Sequence, residues 1–480
     1  MATLVGVICA IHIALLLWQN YLVQTNDDGI LYLRAARLFA EGRFEEARAL
    51  YKWIAYPFMV GSISAVTGFD AMPIAYVLNG IASTVTVLIL LRCVWTSSPY
   101  RTTLICAALL LLGNMWFNDL RATIVREHFY FMFGVIGFYF MLRDVQAPRT
   151  VYRIGFVAAT LLAALFRIEA LGFLVLIPLL RLTIEAPPSR RIRLLAIGGL
   201  LVAGICGALI LAFWSDSGSL SSLLAKPRAR IEILRDQVLW PFEFRKAHLA
   251  YASMILGLLL YGLINSIGLA PLVTTIFGAS HDPALRRSPA LYLSALYLIV
   301  GVVILGMQTY FNLFFDPRHG LILSLILTVP AAMGFRDLLS ISKNAPRWSS
   351  LRFINGFVIV LLVIGFAVGI KKYDSQRYRL EAGKWLAENI SKDAKVEGNS
   401  NQILFYGGFV NNDPELVRLS ASHNLDLSSR RDWKSYDVVV MELRKDQLGQ
   451  LPLLEKNIGR APVKSFRNAR GDGIFIYKLR

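Results

Sequence analysis

Apolar and polar positions along the chain segregate into long blocks. Runs of about 15–25 mostly apolar residues, the length a helix needs to cross roughly 30 Å of hydrocarbon, alternate with short polar segments. The pattern predicts about eleven membrane-spanning helices. They lie near residues 3–22, 69–91, 102–117, 129–142, 154–166, 170–183, 194–213, 249–277, 290–311, 320–335 and 353–370. The fifth and sixth are short and flank the break FRIEA, so they read equally well as one long helix. The first block, MATLVGVICAIHIALLLWQNYLV, has neither a basic leading region nor a clear small-residue cleavage site, which predicts a retained span.

Two stretches depart from this pattern. After the first block, the loop of about residues 23–68 contains QTNDDGILYLRAARLFAEGRFEEARALYKWIAYPFMVGSISAVTG, with an amphipathic core. Asn26 or Asp27 caps a helix whose apolar face is Ile30, Leu33, Ala36, Leu38 and Phe39, suited to lying at a membrane surface. Gly42 ends it, FEEARALYKW forms a second short helix, and Pro57 after Tyr56 begins the return into the membrane. Beyond residue 370 the chain turns polar and mixed in charge. There KKYDSQRYRLEAGKWLAENI predicts an amphipathic helix, while QILFY, YDVVVMEL and GIFIYKL predict short buried strands. The expected organisation is a membrane domain over 1–370, with the loop 23–68 inside it, and a small soluble α/β domain over 371–480.

Composition sharpens the picture. The chain is 56% hydrophobic with a mean hydropathy of +0.53, against roughly 45–50% apolar residues in soluble domains. Its net charge of +18 would suit a nucleic-acid partner if it were gathered on one soluble face. Here it sits in short loops, at Arg92 and Arg101; Arg143, Arg149 and Arg153; Arg181, Arg190, Arg191 and Arg193; Arg286 and Arg287; and Arg336, Lys343, Arg347 and Arg352. Every second loop is basic, as a consistent topology requires, and those loops are assigned to the cytoplasm. Membrane lipid, not nucleic acid, is the expected surroundings. The N-terminus then lies inside, whereas the first loop, the loop near 214–248 and the tail lie outside. Cys9, Cys93, Cys106 and Cys206 all fall in apolar blocks without metal-ligand spacing and read as small buried hydrophobes.

Four polar elements remain, all on the outer side under this topology. Asp27-Asp28 opens the first loop. Taken alone, the pair is explained by a helix cap, its carboxylates near the positive end of the helix. NDLRATIVREHFYF puts Arg126 and Glu127 where the chain re-enters lipid. ALFRIEALGF interrupts an apolar stretch with Arg167 and Glu169, which implies a water-filled cavity or a mutual pair, since a charge at membrane depth costs about 2.5–3.5 kcal/mol. FFDPRHGLIL places Asp316, Arg318 and His319 just before the tenth span.

The order Asp27-Asp28, Tyr32-Leu33, Gly42, Lys52, Tyr56-Pro57 resembles the first outer loop of the GT-C superfamily. These membrane glycosyltransferases use polyprenyl-phosphate-linked sugars. Protein mannosyltransferases of glycosyltransferase family 39 and lipid A aminoarabinose transferases belong to it. The resemblance covers most of the membrane region, and its short motifs gain specificity from order and topology. Arg126-Glu127 matches an Arg-Glu common at that place. In two positions the chain departs from the family, with Ile168 where a proline is usual and His319 where a tyrosine is usual.

The resemblance implies a mainly α fold, a GT-C-like bundle of about eleven spans with amphipathic helices in its first outer loop. It implies a lipid-phosphate-dependent glycosyltransferase acting on a protein, lipid or glycan hydroxyl by single displacement with inversion. Glycosyl transfer needs a base for the acceptor proton and cations for the leaving phosphate. By resemblance Asp27 is the base and Asp28 its support. Lys52, Tyr56, Arg126, Glu127, Arg167, Glu169, Arg318 and His319 form the expected donor and substrate site. No cofactor is assigned, and a divalent metal is left open because some members use one. The rival expectation is a multi-span lipid or glycan transporter or flippase without covalent transfer. Transporters often carry paired repeats with matching broken helices, and the sequence shows no internal repeat.

Overall fold

The structure is a computed structural model that describes residues 1–21, 25–121, 123–185, 229–232, 247–313, 315–346, 348–370, 377–409 and 433–480. It is mainly helical and divides into two compact units. One comprises Met1–Ile13, Gly80–Asn118 and Arg126–Gly369; the other comprises Ala14–Asn79, Asp119–Val125 and Ile370–Arg480.

The first unit is built from apolar helices. Among the described residues six helices are long and apolar enough to cross a membrane: α1 (Ala2–Tyr21), α5 (Ala71–Ser97), α11 (Ala247–Ile267), α14 (Pro289–Asn312), α15 (Pro317–Asn344) and α16 (Ser350–Ile370). A seventh arises if α6 (Arg101–Leu112) and α7 (Met115–Arg121), bent by 68° at their break, count as one span. The expected number of about eleven therefore includes shorter helices. α8 (Glu127–Gln146), α9 (Thr150–Phe166) and α10 (Ala170–Glu185) form where blocks were predicted. The block at 249–277 is two helices, because Gly268 turns the chain at φ +82° between α11 and α12 (Leu269–His281), which the single turn α13 (Pro283–Arg286) follows. The span expected at 194–213 lies outside the described residues, and so does the loop 214–248 apart from residues 229–232.

α15 is the pillar of this unit. Every residue from Gly320 to Phe335 is buried, against α6, α8, α11, α12 and α14. Its Gly334 crosses α12 where a Cβ would run into the Thr274 carbonyl, the close approach that small residues permit between membrane helices. At one end of α8, Asp144 gathers Arg181 at 2.6 Å and Arg153 at 3.2 Å, joining α8, α9 and α10. Cys9, Cys93 and Cys106 are buried and free, as small hydrophobes are; Cys206 lies outside the described residues.

In the second unit the first loop folds into α2 (Asp27–Ala40), α3 (Phe44–Leu50) and α4 (Ala55–Thr67). α2 buries Ile30, Tyr32, Leu33, Ala36 and Phe39, close to the predicted apolar face. Gly42 follows its end at φ +76°, as expected of a terminating glycine. α4 lies directly on α2, since a Cβ at Gly61 would meet the Ala36 carbonyl oxygen. Gly61→Val should therefore force the helices apart and cost about 1–3 kcal/mol. Thermal unfolding of the detergent-solubilised protein measures this, and an unmoved midpoint would refute the packing described.

Among its described residues the tail forms a four-stranded sheet in the order β1-β2-β4-β3. β1 (Val396–Gly398) runs parallel to β2 (Val438–Leu443), and β4 (Gly473–Lys478) pairs antiparallel with both β2 and β3 (Lys464–Arg467). Val438, Val440, Ile474 and Ile476 face α17 (Arg377–Asn389) and α18 (Asn401–Gly407), whereas Val439, Met441, Phe475 and Tyr477 pack on Trp433 and Leu454. The strand expected at QILFY is instead helix α18. It starts after Ser400, ends at Gly408 (φ +79°), and buries Ile403 and Leu404 against α17. A short apolar run between polar and glycine punctuation serves either element, and packing against α17 decides.

Candidate functional site

The sequence-predicted residues fall into both units. In the second, Asn26 is the N-cap of α2 in extended conformation, although its side chain makes no capping bond. Asp27 and Asp28 follow in the first turn, where the exposed peptide N–H groups favour carboxylates. Asp27 keeps a solvent-facing surface and Asp28 is half-buried. Crowding by surrounding protein pushes the Asp27 carboxyl above its ordinary pKa. The Arg379 guanidinium opposes that shift, whereas the Asp28 and Glu442 carboxylates add to it.

Arg379 and Glu442 come from the tail and were not picked out from the sequence. Arg379 Nε donates to Glu442 Oε1 at 2.7 Å, and its Nη1 donates to Gln402 Oε1 at 2.8 Å. Tyr378 Oη donates to the same Glu442 oxygen at 2.5 Å. Asn399 clasps the Glu442 backbone, its amide nitrogen donating to the carbonyl at 2.8 Å and its oxygen accepting from the N–H at 2.7 Å. The tail also grips the approach to α2. Thr25 N–H donates to Tyr406 Oη at 2.5 Å, and the Arg37 guanidinium lies 5.0 Å from the centre of the Phe405 ring. Nothing in the local spacing of α17 marks Arg379, which reads there as one more cation on a solvated face.

Lys52 is exposed in the segment between α3 and α4, open to an anion. Tyr56 differs from expectation in its setting. It is fully buried, its hydroxyl donates to Asn79 Oδ1 at 3.0 Å, and its ring stands edge-on to Tyr32. Asn79 in turn donates to the Thr123 carbonyl. Tyr56 thus holds the loop helices in place.

In the first unit the structure joins Glu127, Arg167 and Glu169 into one triad. Arg167, in extended conformation between α9 and α10, donates from Nη1 to Glu127 at 2.9 Å and from Nη2 to Glu169 at 2.6 Å. Its side chain is only 5% exposed. Of the two expectations for this break, a mutual pair is what forms, and it recruits Glu127 as a third member. Arg126 and Arg318 lie near enough for their charges to act on Glu127. Arg318 pairs with Asp316 at 2.6 Å, and Asp316 also caps α15 by accepting from Arg318 N–H. His319 Nδ1 faces the Gln308 amide at 2.7 Å. Arg167, Glu169, His319 and Tyr130 line a common recess. Three arginines, Arg126, Arg167 and Arg318, thus meet three carboxylates, Glu127, Glu169 and Asp316. The group is polar and nearly neutral, and Arg167 is already fully engaged.

Among the described residues no three His, Cys, Asp or Glu side chains converge as metal ligands.

No protein-family model matches the chain, and no curated protein matches it. Two solved structures share its fold end to end. ArnT from Cupriavidus metallidurans in the apo state is 11% identical, with a TM-score of 0.53, over 99% of this chain and 98% of that one. The same protein bound to undecaprenyl phosphate is 11% identical, with a TM-score of 0.55, over 98% and 97%. The chain is therefore ArnT-like in fold.

Proposed function

We propose that this protein is an integral membrane glycosyltransferase that moves a sugar from a polyprenyl-phosphate carrier to an acceptor hydroxyl. The observation that carries the reading is the end-to-end fold likeness to ArnT, one of whose structures holds undecaprenyl phosphate, together with an acidic pair opening helix α2. By the basic-loop assignment the N-terminus is cytoplasmic and the reaction proceeds on the outer face, beside the tail.

The chemistry is a single displacement. The acceptor oxygen attacks the anomeric carbon, and the bond from that carbon to the phosphate oxygen breaks. The acceptor proton passes to the Asp27 carboxylate, and the polyprenyl phosphate leaves with the bonding electron pair. The raised affinity of Asp27 for a proton suits a general base better than an ordinary surface aspartate would. Asp28 supports it, and exposed Lys52 offers a charge to the leaving phosphate. In the membrane unit Arg126, Arg167 and Arg318 are the candidate cations, set among the carboxylates Glu127, Glu169 and Asp316. There Arg167 acts as a positioning residue.

The test is a donor assay in reconstituted vesicles with radiolabelled undecaprenyl-phosphate sugars and a crude envelope fraction as acceptor. Loss of the labelled donor with equal gain of label on acceptor is expected. Movement of the lipid across the bilayer with its sugar still attached would favour the flippase reading instead.

A further inference from the structure

Building on Asp27 as the base, we infer that the tail supplies that site with positioning residues. They are Arg379, held between Glu442 and Gln402, and Tyr406, which fixes the chain two residues ahead of Asp27.

The geometry is specific. Arg379 is braced at Nε and Nη1, so its planar fork has little rotational freedom. Glu442 is braced in turn by Tyr378 Oη and by the two Asn399 bonds to its backbone. A charge pair this rigid, drawn from α17 and β2, is more ordered than exposed ion pairs, which gain little from their geometry. It acts where α2 begins. The Tyr406 hydroxyl accepts from the Thr25 N–H, and α18 packs on α2. The charged groups that act on Asp27 are Asp28 of its own helix, Arg379 of α17 and Glu442 of β2. Arg379 favours the ionised carboxylate and the other two oppose it, so the tail delivers two opposed influences within one hydrogen-bonded pair. Among the described ion pairs of the tail, Arg379–Glu442 is the one whose charges act on Asp27. The assignment makes the tail part of the reaction centre: its charge pair adjusts how readily Asp27 takes the acceptor proton, beside the larger effect of burial.

The experiment follows Asp27 itself in the full chain. Isotope-edited infrared titration in lipid nanodiscs, with Asp27→Asn subtracted, isolates the protonation of this carboxyl. Arg379→Gln leaves Glu442 uncompensated and is expected to raise the midpoint, whereas Glu442→Gln leaves Arg379 uncompensated and is expected to lower it. Arg379→Lys keeps the charge and should restore most of the shift, and it serves if the glutamine variant folds poorly. Tyr406→Phe should speed amide exchange from Thr25 through the first turn of α2. Unmoved midpoints, or shifts of the same sign in both charge variants, overturn the inference. Unchanged exchange removes the anchoring role of Tyr406. These readings assume nothing about transfer, so an Asp27→Asn variant that still transfers sugar would defeat the base assignment separately.

Discussion

Arg167→Met is expected to lower the unfolding free energy by about 3–5 kcal/mol, the usual result of stripping one partner from a buried ion pair. The arginine is 5% exposed and bonded to two carboxylates, so its loss strands Glu127 and Glu169 in apolar surroundings. Lysine should rescue little, because one ammonium cannot span both acids in the planar geometry of a guanidinium. The informative control is the triple variant Arg167→Met, Glu127→Gln, Glu169→Gln. With the triad's own charges gone, it should recover part of the loss, since buried ion clusters are often replaceable at little net cost, while Arg126 and Arg318 stay charged beside it. Guanidinium-free thermal unfolding in a mild detergent reads all three proteins. A single variant as stable as the parent would mean that the triad is solvated rather than buried.

Asp27→Asn is expected to reduce transfer by about 10²–10⁴-fold, the range supplied by a positioned general base. Asp28→Asn should cost less, because it affects the base indirectly. The pH dependence carries a second signature. Parental activity should fall as acid protonates Asp27, at a pH above the ordinary aspartate value of about 3.9. Stability should move the other way. Because the folded-state pKa is raised, the contribution of this group is fully present below the unfolded value and is lost as pH rises through the folded one. Asp27→Asn, permanently uncharged, should therefore melt higher than the parent at neutral pH, and the gap should close on acidification. A variant that is less active yet more stable is the mark of a residue kept for its chemistry. Full transfer activity in Asp27→Asn, or a melting point below the parent at neutral pH, would rule out this account.

Much of the frame was legible because it rests on periodicity. The apolar blocks foretold most of the helices of the membrane unit, and Ile30, Leu33, Ala36 and Phe39 foretold the buried face of α2. Arg167 and Glu169 were legible as partners because two charges in an apolar run have few other ways to be accommodated. That Glu127 joins them was not, since it depends on how α8 packs beside the α9–α10 break. QILFY was misread because five residues carry too little period to separate strand from helix. Tyr56 was singled out for its place in a motif, but the neighbouring Asn79 consumes its hydroxyl. Arg379, Glu442 and Tyr406 were illegible for a general reason: in their own segments they obey ordinary surface patterns, and only the fold brings them to Asp27.

The sheet order has a consequence for the making of the protein. β4 pairs with both β2 and β3, so the strand synthesised last holds the tail sheet together. The tail in turn contacts Thr25 and Arg37, among the first residues to leave the ribosome. A nascent chain therefore carries its acidic turn through most of translation without the surroundings that tune it. Ribosomes stalled before β4 would hold membrane-inserted chains whose tail sheet is incomplete, so the tail's contacts with Thr25 and Arg37 form late.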